Sequence, residues 1–300
     1  MSARALALLL VAAAACRSAR PIAQAKPPPP ADTGRDGGES DAGAPDPLVE
    51  AEAAFARGET DQAIAALEDA APRAADPSPL LIRAARARKS RVGAALAAPE
   101  ASLPAVARDA QACAADAHRA WSRQFPIAGA QVDGSHPAAE VYAQVGAAGA
   151  EALYLEAVCS AAWARTQGFT QLVERRLELI EELQRAVQLA PALDGAGPDR
   201  ELGALYGALP SYAGGDLAEA RRHFEAAAAR APDEARNHLE FARAVAVKAQ
   251  DRQLFETQLR LAAASKDPAD AARAAELLSR EDDLFGPAEA AQPTPGGLQK

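Results

Sequence analysis

The fold class that the sequence predicts is all-α, in the form of an α-solenoid of antiparallel helix pairs. Hydrophobic residues make up 49% of the 300 residues but aromatic residues only 4%, so the core must be built largely from Ala and Leu. Alanine is the best intrinsic helix former and lets helix axes approach closely. Period-two runs of β-branched residues, which indicate strands, are missing from the chain. Paired helices of similar length joined by short turns indicate the solenoid.

The N-terminus predicts export and a lipid anchor. Residues 1–15 carry Arg4 and then an apolar run, which is too short to span a bilayer, since that takes roughly 20 residues, but which fits a signal peptide. The Ala-Ala-Ala-Cys ending resembles a bacterial lipobox, in which lipid would be attached to Cys16. The alternative is ordinary secretion, with Cys16 discarded or without a role. Because Arg17 and not Asp follows, we expect attachment to the outer membrane, facing the periplasm.

Residues 47–285 are predicted to form the helical-repeat domain, and the segments that flank it, 16–46 and 286–300, are predicted to be disordered. Residues 16–46 are poor in apolar residues and rich in Pro, Gly and Asp, so they cannot bury enough surface to fold. As a tether they would reach about 30 Å, with the run Pro27–Pro30 stiffened into an extended segment. Residues 286–300 predict a disordered tail.

Two segments repeat one spacing of small and apolar residues, that of the tetratricopeptide (TPR) pattern, and make the predicted solenoid TPR-like. In the first segment Gly58 is expected to end one helix and Thr60 to cap the next. The corresponding residues are Gly58, Ala63, Leu67 and Ala70 in the first segment and Gly215, Ala220, Phe224 and Ala227 in the second.

Further helices are predicted along residues 78–285. Residues 138–166 are expected to form one long, centrally buried helix because they are apolar all round, and residues 127–137 a polar loop. The helix that starts at Ser78 has a basic side, which indicates a solvated face or a patch for lipid or a partner. Its basic residues are Arg83, Arg86, Arg88, Lys89 and Arg91.

The stretch 201–232 departs from an ordinary repeat. Pro210 should stop a helix early by removing a backbone hydrogen bond. Gly214 and Gly215 then permit positive φ or a close backbone approach, and Asp216 can cap the next helix. This pattern predicts a shaped loop where a tight turn would be expected, and loops are where such arrays bind partners.

The chain from about residue 150 to residue 285 resembles the T-component (TatT) lipoprotein family of TRAP-type transporter systems. The resemblance runs through EALYLEAVCSAAWA, the stretch LDGAGPDRELGALYGALPSYAGGDLAEARRHFEAAAARAP, LEFARAVAVKAQDRQLFETQL and ARAAELLSREDDLF. The positions that match are Asp194, Gly195, Gly197, Leu202, Gly203, Tyr206, Pro210, Gly214, Gly215 and Asp216. The Cys16 lipobox is also a feature of that family.

The resemblance implies a binding function with a periplasmic solute-binding protein, the P-component, as partner. It also implies that the protein helps to pass a small, apolar ligand and that it forms homo-oligomers. The alternative is a structural adaptor lipoprotein in envelope assembly, without a transport role. The candidate binding residues are Tyr154, Trp163, Tyr206, Pro210, Tyr212, Gly214, Gly215 and Asp216.

Catalysis, metal binding and nucleic-acid binding are not predicted. The net charge of -9 does not suit a phosphate backbone, and the chain has no phosphate loop, HExxH, GxSxG or Cys/His cluster. No cofactor is therefore expected, and the adjacent pair Glu181 and Glu182 is interpreted as solvated surface. The scattered histidines are expected at the surface or at helix caps; they are His118, His136, His223 and His238.

Cysteines and aromatic residues leave alternatives open. Cys113 and Cys159 could form a disulfide in an oxidising compartment, or remain as buried thiols in Ala-rich helices. The large amphipathic aromatics could anchor the core or line a cavity or groove. These aromatics are Trp121, Tyr142, Tyr154, Trp163, Tyr206 and Tyr212.

Overall fold

The computed structural model describes residues 46–98, 100, 102–132 and 136–286, and every regular element in that part is helical. The all-α prediction is therefore confirmed. The first helices are α1 Pro47–Ala56, α2 Thr60–Ala70, α3 Ser78–Ala97, α4 Leu103–Gln124, α5 Pro126–Val132, α6 Ala138–Ala143, α7 Ala150–Gln167 and α8 Phe169–Leu189. The others are α9 Leu193–Ala208, α10 Leu217–Arg230, α11 Ala235–Phe241, α12 Val247–Ala249, α13 Arg252–Ala263, α14 Pro268–Ser279 and α15 Glu281–Phe285, with a π-helix at Ala242–Ala246. The predicted signal peptide and Cys16 lie outside the described residues, as does all but one residue each of the predicted tether and tail.

Helices α3, α4, α7 and α8 form the centre of the fold, each packed on the next. Cys113 of α4 and Cys159 of α7 are joined by a disulfide, which resolves the alternative that the sequence leaves open. Trp121, Tyr142 and Tyr154 are fully buried in this region. These three aromatics are core anchors.

The basic side of α3 is occupied by ion pairs, and it is solvated in part, at Arg86. Each of its five cations forms an ion pair with a carboxylate of another helix. The pairs are Arg83 with Glu52, Arg86 with Glu151, Arg88 with Glu68 and Asp116, Lys89 with Asp194, and Arg91 with Asp61 and Asp109. The charges of α3 therefore connect it to α1, α2, α4, α7 and α9.

The single long helix predicted over residues 138–166 is wrong. The structure has two helices there, α6 and α7, separated by a turn and by a 3-10 turn at Ala147–Gly149. Gly149 lies against Phe125, and a Cβ atom at this glycine would stand 2.8 Å from the ring. Arg185 of α8 donates two hydrogen bonds to the carbonyl of Val145. This tertiary packing, which no local pattern reveals, holds the chain in the turn.

Two local predictions near these helices also need correction. The predicted polar loop at 127–137 is in part helix α5, which starts at Pro126, a favourable first residue of a helix. Thr60 is the first residue of α2 and does not cap it, since Glu59 occupies the N-cap position and no side-chain hydrogen bond closes that helix end. Gly58 has φ +79°, as a helix-ending glycine should.

Candidate functional site

The α9–α10 loop, residues 209–216, has the shape that its sequence predicts. Helix α9 ends at Ala208, and Pro210 is extended. A 3-10 turn at Ser211–Ala213 follows, and Gly214 adopts a left-handed conformation at φ +90°. The carbonyl of Pro210 accepts hydrogen bonds from the N–H groups of Ala213 and Gly215, at 2.9 and 3.0 Å. The loop is thus a compact, internally bonded structure.

Two positions of this loop require glycine. A Cβ atom at Gly215 would lie 1.9 Å from the carbonyl oxygen of Leu209, which no conformational adjustment of a side chain can relieve. At Gly214 it would lie 2.8 Å from Nε of Arg176 on α8, at a backbone φ that side chains rarely adopt. The adjacent glycines therefore let the backbone approach both its own helix end and α8.

Asp216 caps α10, as predicted. Its carboxylate accepts hydrogen bonds from the N–H groups of Ala218 and Glu219, at 2.8 and 3.1 Å. These are two of the amide groups that a helix start leaves without partners. The cap fixes where the loop ends and α10 begins.

The two tyrosines of this region differ sharply in exposure. Tyr212, in the 3-10 turn, is 86% exposed, which is unusual for a large aromatic side chain in a chain so poor in them. Tyr206 of α9 is half-buried and stacks on His223 of α10, with ring centroids 5.9 Å apart. Burial and the charge of Glu219 raise the pKa of the Tyr206 hydroxyl. Tyr212 is the side chain that the loop presents.

An apolar stripe on α8 lies next to the loop and was missed in the sequence. Phe169 and Leu177 are exposed, and Val173 between them is half-buried; the i, i+4, i+8 spacing places them on one helix face. Arg176, which contacts Gly214, donates a hydrogen bond to the carbonyl of Val173 at 2.8 Å. Counting the apolar residues on the outer side of this amphipathic helix would have found the stripe.

Tyr154 lies in a different cluster, around a left-handed turn at the start of α9. Three consecutive residues there have positive φ, namely Asp194 at 50°, Gly195 at 63° and Ala196 at 61°. The Tyr154 hydroxyl donates to the Asp194 carboxylate at 2.5 Å. A Cβ atom at Gly197 would lie 2.4 Å from that hydroxyl. Tyr154 is therefore a buried residue that supports the turn.

Three cations surround the Asp194 carboxylate. Lys89, Arg200 and Arg236 approach it at 2.6, 3.1 and 3.2 Å. Burial alone would raise the pKa of this carboxyl, but the charge and hydrogen bond of Lys89, the hydroxyl of Tyr154 and the charge of Arg236 outweigh burial and hold the pKa well below its usual range. The ion pairs of Asp194 thus stabilise the left-handed turn.

Asn237 and Arg200 satisfy the backbone of the left-handed turn. The side-chain amide of Asn237 donates to the carbonyl of Gly195 at 3.1 Å, and Arg200 donates to Asn237 Oδ1, also at 3.1 Å. Both side chains are buried. The cluster therefore fixes the backbone at the start of α9, the helix that leads into the α9–α10 loop.

Trp163 packs on the apolar cluster that contains Leu209, the first residue of the loop, and on which Tyr206 also packs. It is half-buried near the end of α7, and the guanidinium carbon of Arg175 lies 5.8 Å from its ring. Arg175 and the loop-contacting Arg176 are neighbours on α8, so Trp163 and the loop meet that helix at adjacent residues. The candidate residues from Tyr206 to Asp216 thus lie along one stretch of the chain, and Tyr154 and Trp163 share an apolar cluster with Tyr206.

Two histidines and one glutamate are buried, contrary to prediction. His223 and His238 lie inside the fold, where His223 Nδ1 is 2.8 Å from Asp199 and His238 Nε2 is 2.9 Å from the carbonyl of Pro232. Glu182, interpreted as solvated, is also buried. A side chain on the inner face of an amphipathic helix is buried whatever its polarity when neighbouring helices supply partners.

Glu182 belongs to a buried polar cluster between α4, α6, α7 and α8. Its neighbour Glu156 accepts from the indole N–H of Trp121 and lies 3.1 Å from His118 Nδ1. Burial, together with the charges of Glu156 and Glu178, raises the pKa of Glu182 well above its ordinary value. Within the described part of the chain, Glu182 Oε1 and the Tyr142 hydroxyl are buried without hydrogen-bond partners.

The raised pKa of Glu182 predicts that the free energy of unfolding depends on pH. Its pKa in the folded state is raised, so the folded protein binds more protons above the unfolded value of about 4.3, and stability falls as the pH rises from there. We expect Glu182→Gln, whose amide can also donate to Glu156, to gain stability relative to the wild type as the pH rises from 4.5 to 7.5. Thermal melts across that range measure it, with Glu181→Gln as the matched control; equal slopes for the wild type and Glu182→Gln would contradict the prediction.

Two pockets lie away from these groups. One, of about 360 Å³, is lined by residues of α1, α2 and α3 such as Leu48 and Leu80, and the other, of about 240 Å³, lies around Phe125. None of the candidate binding residues lines either pocket.

Among the described helices, none has the length and apolarity needed to cross a bilayer.

The comparison with known families identifies the class of this protein. The model of the TRAP transporter T-component family (TAtT) matches residues 116–285, more than half of the chain, and includes the whole α9–α10 loop and the Asp194 turn. The match assigns the chain to the class of TRAP transporter components. Within that class it belongs to the T-component family. No curated protein matches the sequence.

Proposed function

We propose that the protein is a periplasm-facing lipoprotein that binds the solute-binding P-component of a TRAP-type transport system through the α9–α10 loop. It has no catalytic role and assists the transfer of a small apolar ligand. The observation that carries the proposal is the loop itself, which lies inside the family match and presents Tyr212 on a backbone that requires Gly215. Tyrosine is enriched among the residues that dominate binding energy at protein interfaces.

We propose that the helices are arranged in a TPR-like manner, as suits a binding role. The repeated positions are buried in both segments at Ala63, Leu67, Ala220, Phe224 and Ala227. In the α3–α4 pair the ion pairs run in opposite directions along the two helices, since Arg88 meets Asp116 and Arg91 meets Asp109. Antiparallel helix pairs of this kind present loops and a face of the array to partners.

The disulfide supports export. Disulfides persist in oxidising compartments such as the periplasm and are rare in the cytosol, and Cys113–Cys159 is buried between α4 and α7. This agrees with the predicted signal peptide and with lipid attachment at Cys16. We propose anchoring in the outer membrane, with the folded domain facing the periplasm.

The experiment is a pull-down from detergent-solubilised membranes with the full-length lipoprotein, followed by mass spectrometry of bound proteins and small molecules. We expect recovery of a solute-binding protein. Tyr212→Ala should weaken its binding about tenfold or more, the effect of losing an interface tyrosine, while the helical circular dichroism stays unchanged. Leu261→Ala, at a residue 50% exposed on α13, is the matched control and should bind normally.

The other outcomes are informative. Recovery of envelope-assembly proteins without a solute-binding protein would favour the structural adaptor. Recovery of a second, tagged copy of the chain would show the homo-oligomer, for which the apolar stripe on α8 offers a surface. Membrane fractionation of Cys16→Ser in the same preparation tests the anchor, because this variant should leave the membrane fraction; if it stays there, the lipobox interpretation fails.

A further inference from the structure

The last turn of α9 has its free carbonyl groups satisfied from outside the helix. The final carbonyls of any α-helix lack partners within it. Here the carbonyl of Tyr206 accepts from the N–H of Asp216 at 3.2 Å. The next two, those of Gly207 and Ala208, both accept from Nζ of Lys248, with 3.3 Å to Ala208. One ammonium group thus closes the helix end from which the α9–α10 loop departs.

Lys248 reaches this helix end because of the element before it. The π-helix at Ala242–Ala246 ends two residues before Lys248. A π turn contains one residue more than an α turn. Side chains after it are therefore rotated by about 100° about the helix axis, relative to a continuous α-helix. The π-helix also packs tightly on α9, since a Cβ atom at Gly207 would lie 3.1 Å from both Cβ and the carbonyl oxygen of Ala244. Close backbone approach and rotation together aim Lys248 at the carbonyls.

Contacts hold the α9–α10 loop from the end of α9 to the point where the loop passes α8. After Ala208, the carbonyl of Leu209 packs on Gly215, and that of Pro210 accepts from Ala213 and Gly215. Lys248 acts on the side where the loop leaves α9, and Arg176 contacts Gly214 where the loop passes α8. Lys248 brings its charge to the end of α9, where a cation is stabilising, and its ammonium group has three donors for the two carbonyls.

We infer that Lys248 is a positioning residue for the α9–α10 loop, which fixes the helix end that presents Tyr212 and thereby sets affinity for the partner. The effect on affinity rests on the proposed function. The effect on the loop does not, and it can be measured in the free protein.

The test uses amide hydrogen exchange of the loop in the full-length protein. Lys248→Met keeps an apolar stem and removes the donors, and Lys248→Arg keeps both donors and charge. Exchange at Gly215 and Asp216 should be about fivefold faster in Lys248→Met, as the loss of a helix-end cation implies, and near the wild-type rate in Lys248→Arg. Arg243→Met is the matched control, because Arg243 is an exposed cation of the π-helix that pairs with Glu240 in the preceding turn.

Unchanged exchange at Gly215 and Asp216 in Lys248→Met would overturn the inference, as would faster exchange spread over all helices. Affinity is measured for the solute-binding protein recovered by the wild type, and Lys248→Met should weaken it while Lys248→Arg restores it. If Tyr212→Ala weakens binding and Lys248→Met does not, the inference fails alone. If Tyr212→Ala binds normally, the proposed role of the loop fails, and exchange still decides whether Lys248 positions it.

Discussion

Replacing Asp194 by asparagine is expected to lower the free energy of unfolding by about 3 kcal/mol, the lower end of the range for removing one partner of a buried ion pair. The carboxylate meets Lys89, Arg200 and Arg236, and the side chain of Arg200 is only 4% exposed. Without the carboxylate, the Arg200 guanidinium stays buried but loses a negative charge that offsets the cost of its desolvation. Asparagine also tolerates the left-handed conformation of this residue, so the variant changes charge without changing backbone preference. Urea denaturation at pH 7 measures the loss.

The pH dependence and a control variant distinguish the loss of the Asp194 charge from a general effect of replacing aspartate by asparagine. The pKa of Asp194 is lowered in the folded state, so its stabilisation is present above the unfolded value of about 3.9 and is lost as the pH falls through the folded value. Wild type and Asp194→Asn should therefore converge in acid. Asp282→Asn makes the same chemical change at a carboxylate that is 72% exposed and should cost under about 0.5 kcal/mol. Equal stability of wild type and Asp194→Asn at pH 7 would refute the charge argument.

The same turn shows where sequence reasoning stops. Asp194, Gly195 and Gly197 are recognisable as positions shared with the T-component family, but the left-handed conformation is not predictable from them. Ala196 is also left-handed, against a cost of roughly 1–2 kcal/mol for such a residue. The contacts that override this cost come from Tyr154 and Asn237, each about 40 residues away in the chain.

The α9–α10 loop was predictable because its determinants are local. A proline, two glycines and a capping aspartate within seven residues specify where α9 ends, where the backbone needs freedom and where α10 starts, and the structure agrees at Pro210, Gly214, Gly215 and Asp216. Its supports were not predictable, since Arg176 and Lys248 lie on other helices and their sequence contexts look like solvated surface. The same limit applies to the basic residues of α3, whose carboxylate partners are distributed over five helices.

Removing the crosslink between α4 and α7 is expected to lower the free energy of unfolding by about 4 kcal/mol, from the loop-closure entropy of a bridge across a sequence separation of 46 residues. The variant is Cys113→Ala with Cys159→Ala, because both side chains are buried and serine hydroxyls there would need partners. Thermal and urea unfolding measure the loss. Wild-type protein reduced while unfolded and then refolded under reductant keeps both sulfur atoms, so it isolates the crosslink from the lost packing.

The stability lost without the disulfide indicates in which kind of compartment the protein stays folded. A domain of this size is stabilised by about 5–15 kcal/mol, so a bridge worth about 4 kcal/mol makes the folded state depend strongly on an oxidising compartment. Reduced wild type should therefore melt well below the oxidised form and should be the weaker partner in a pull-down at 37 °C. If reduction leaves the melting temperature unchanged, α4 and α7 are held by packing alone, and the disulfide no longer supports export.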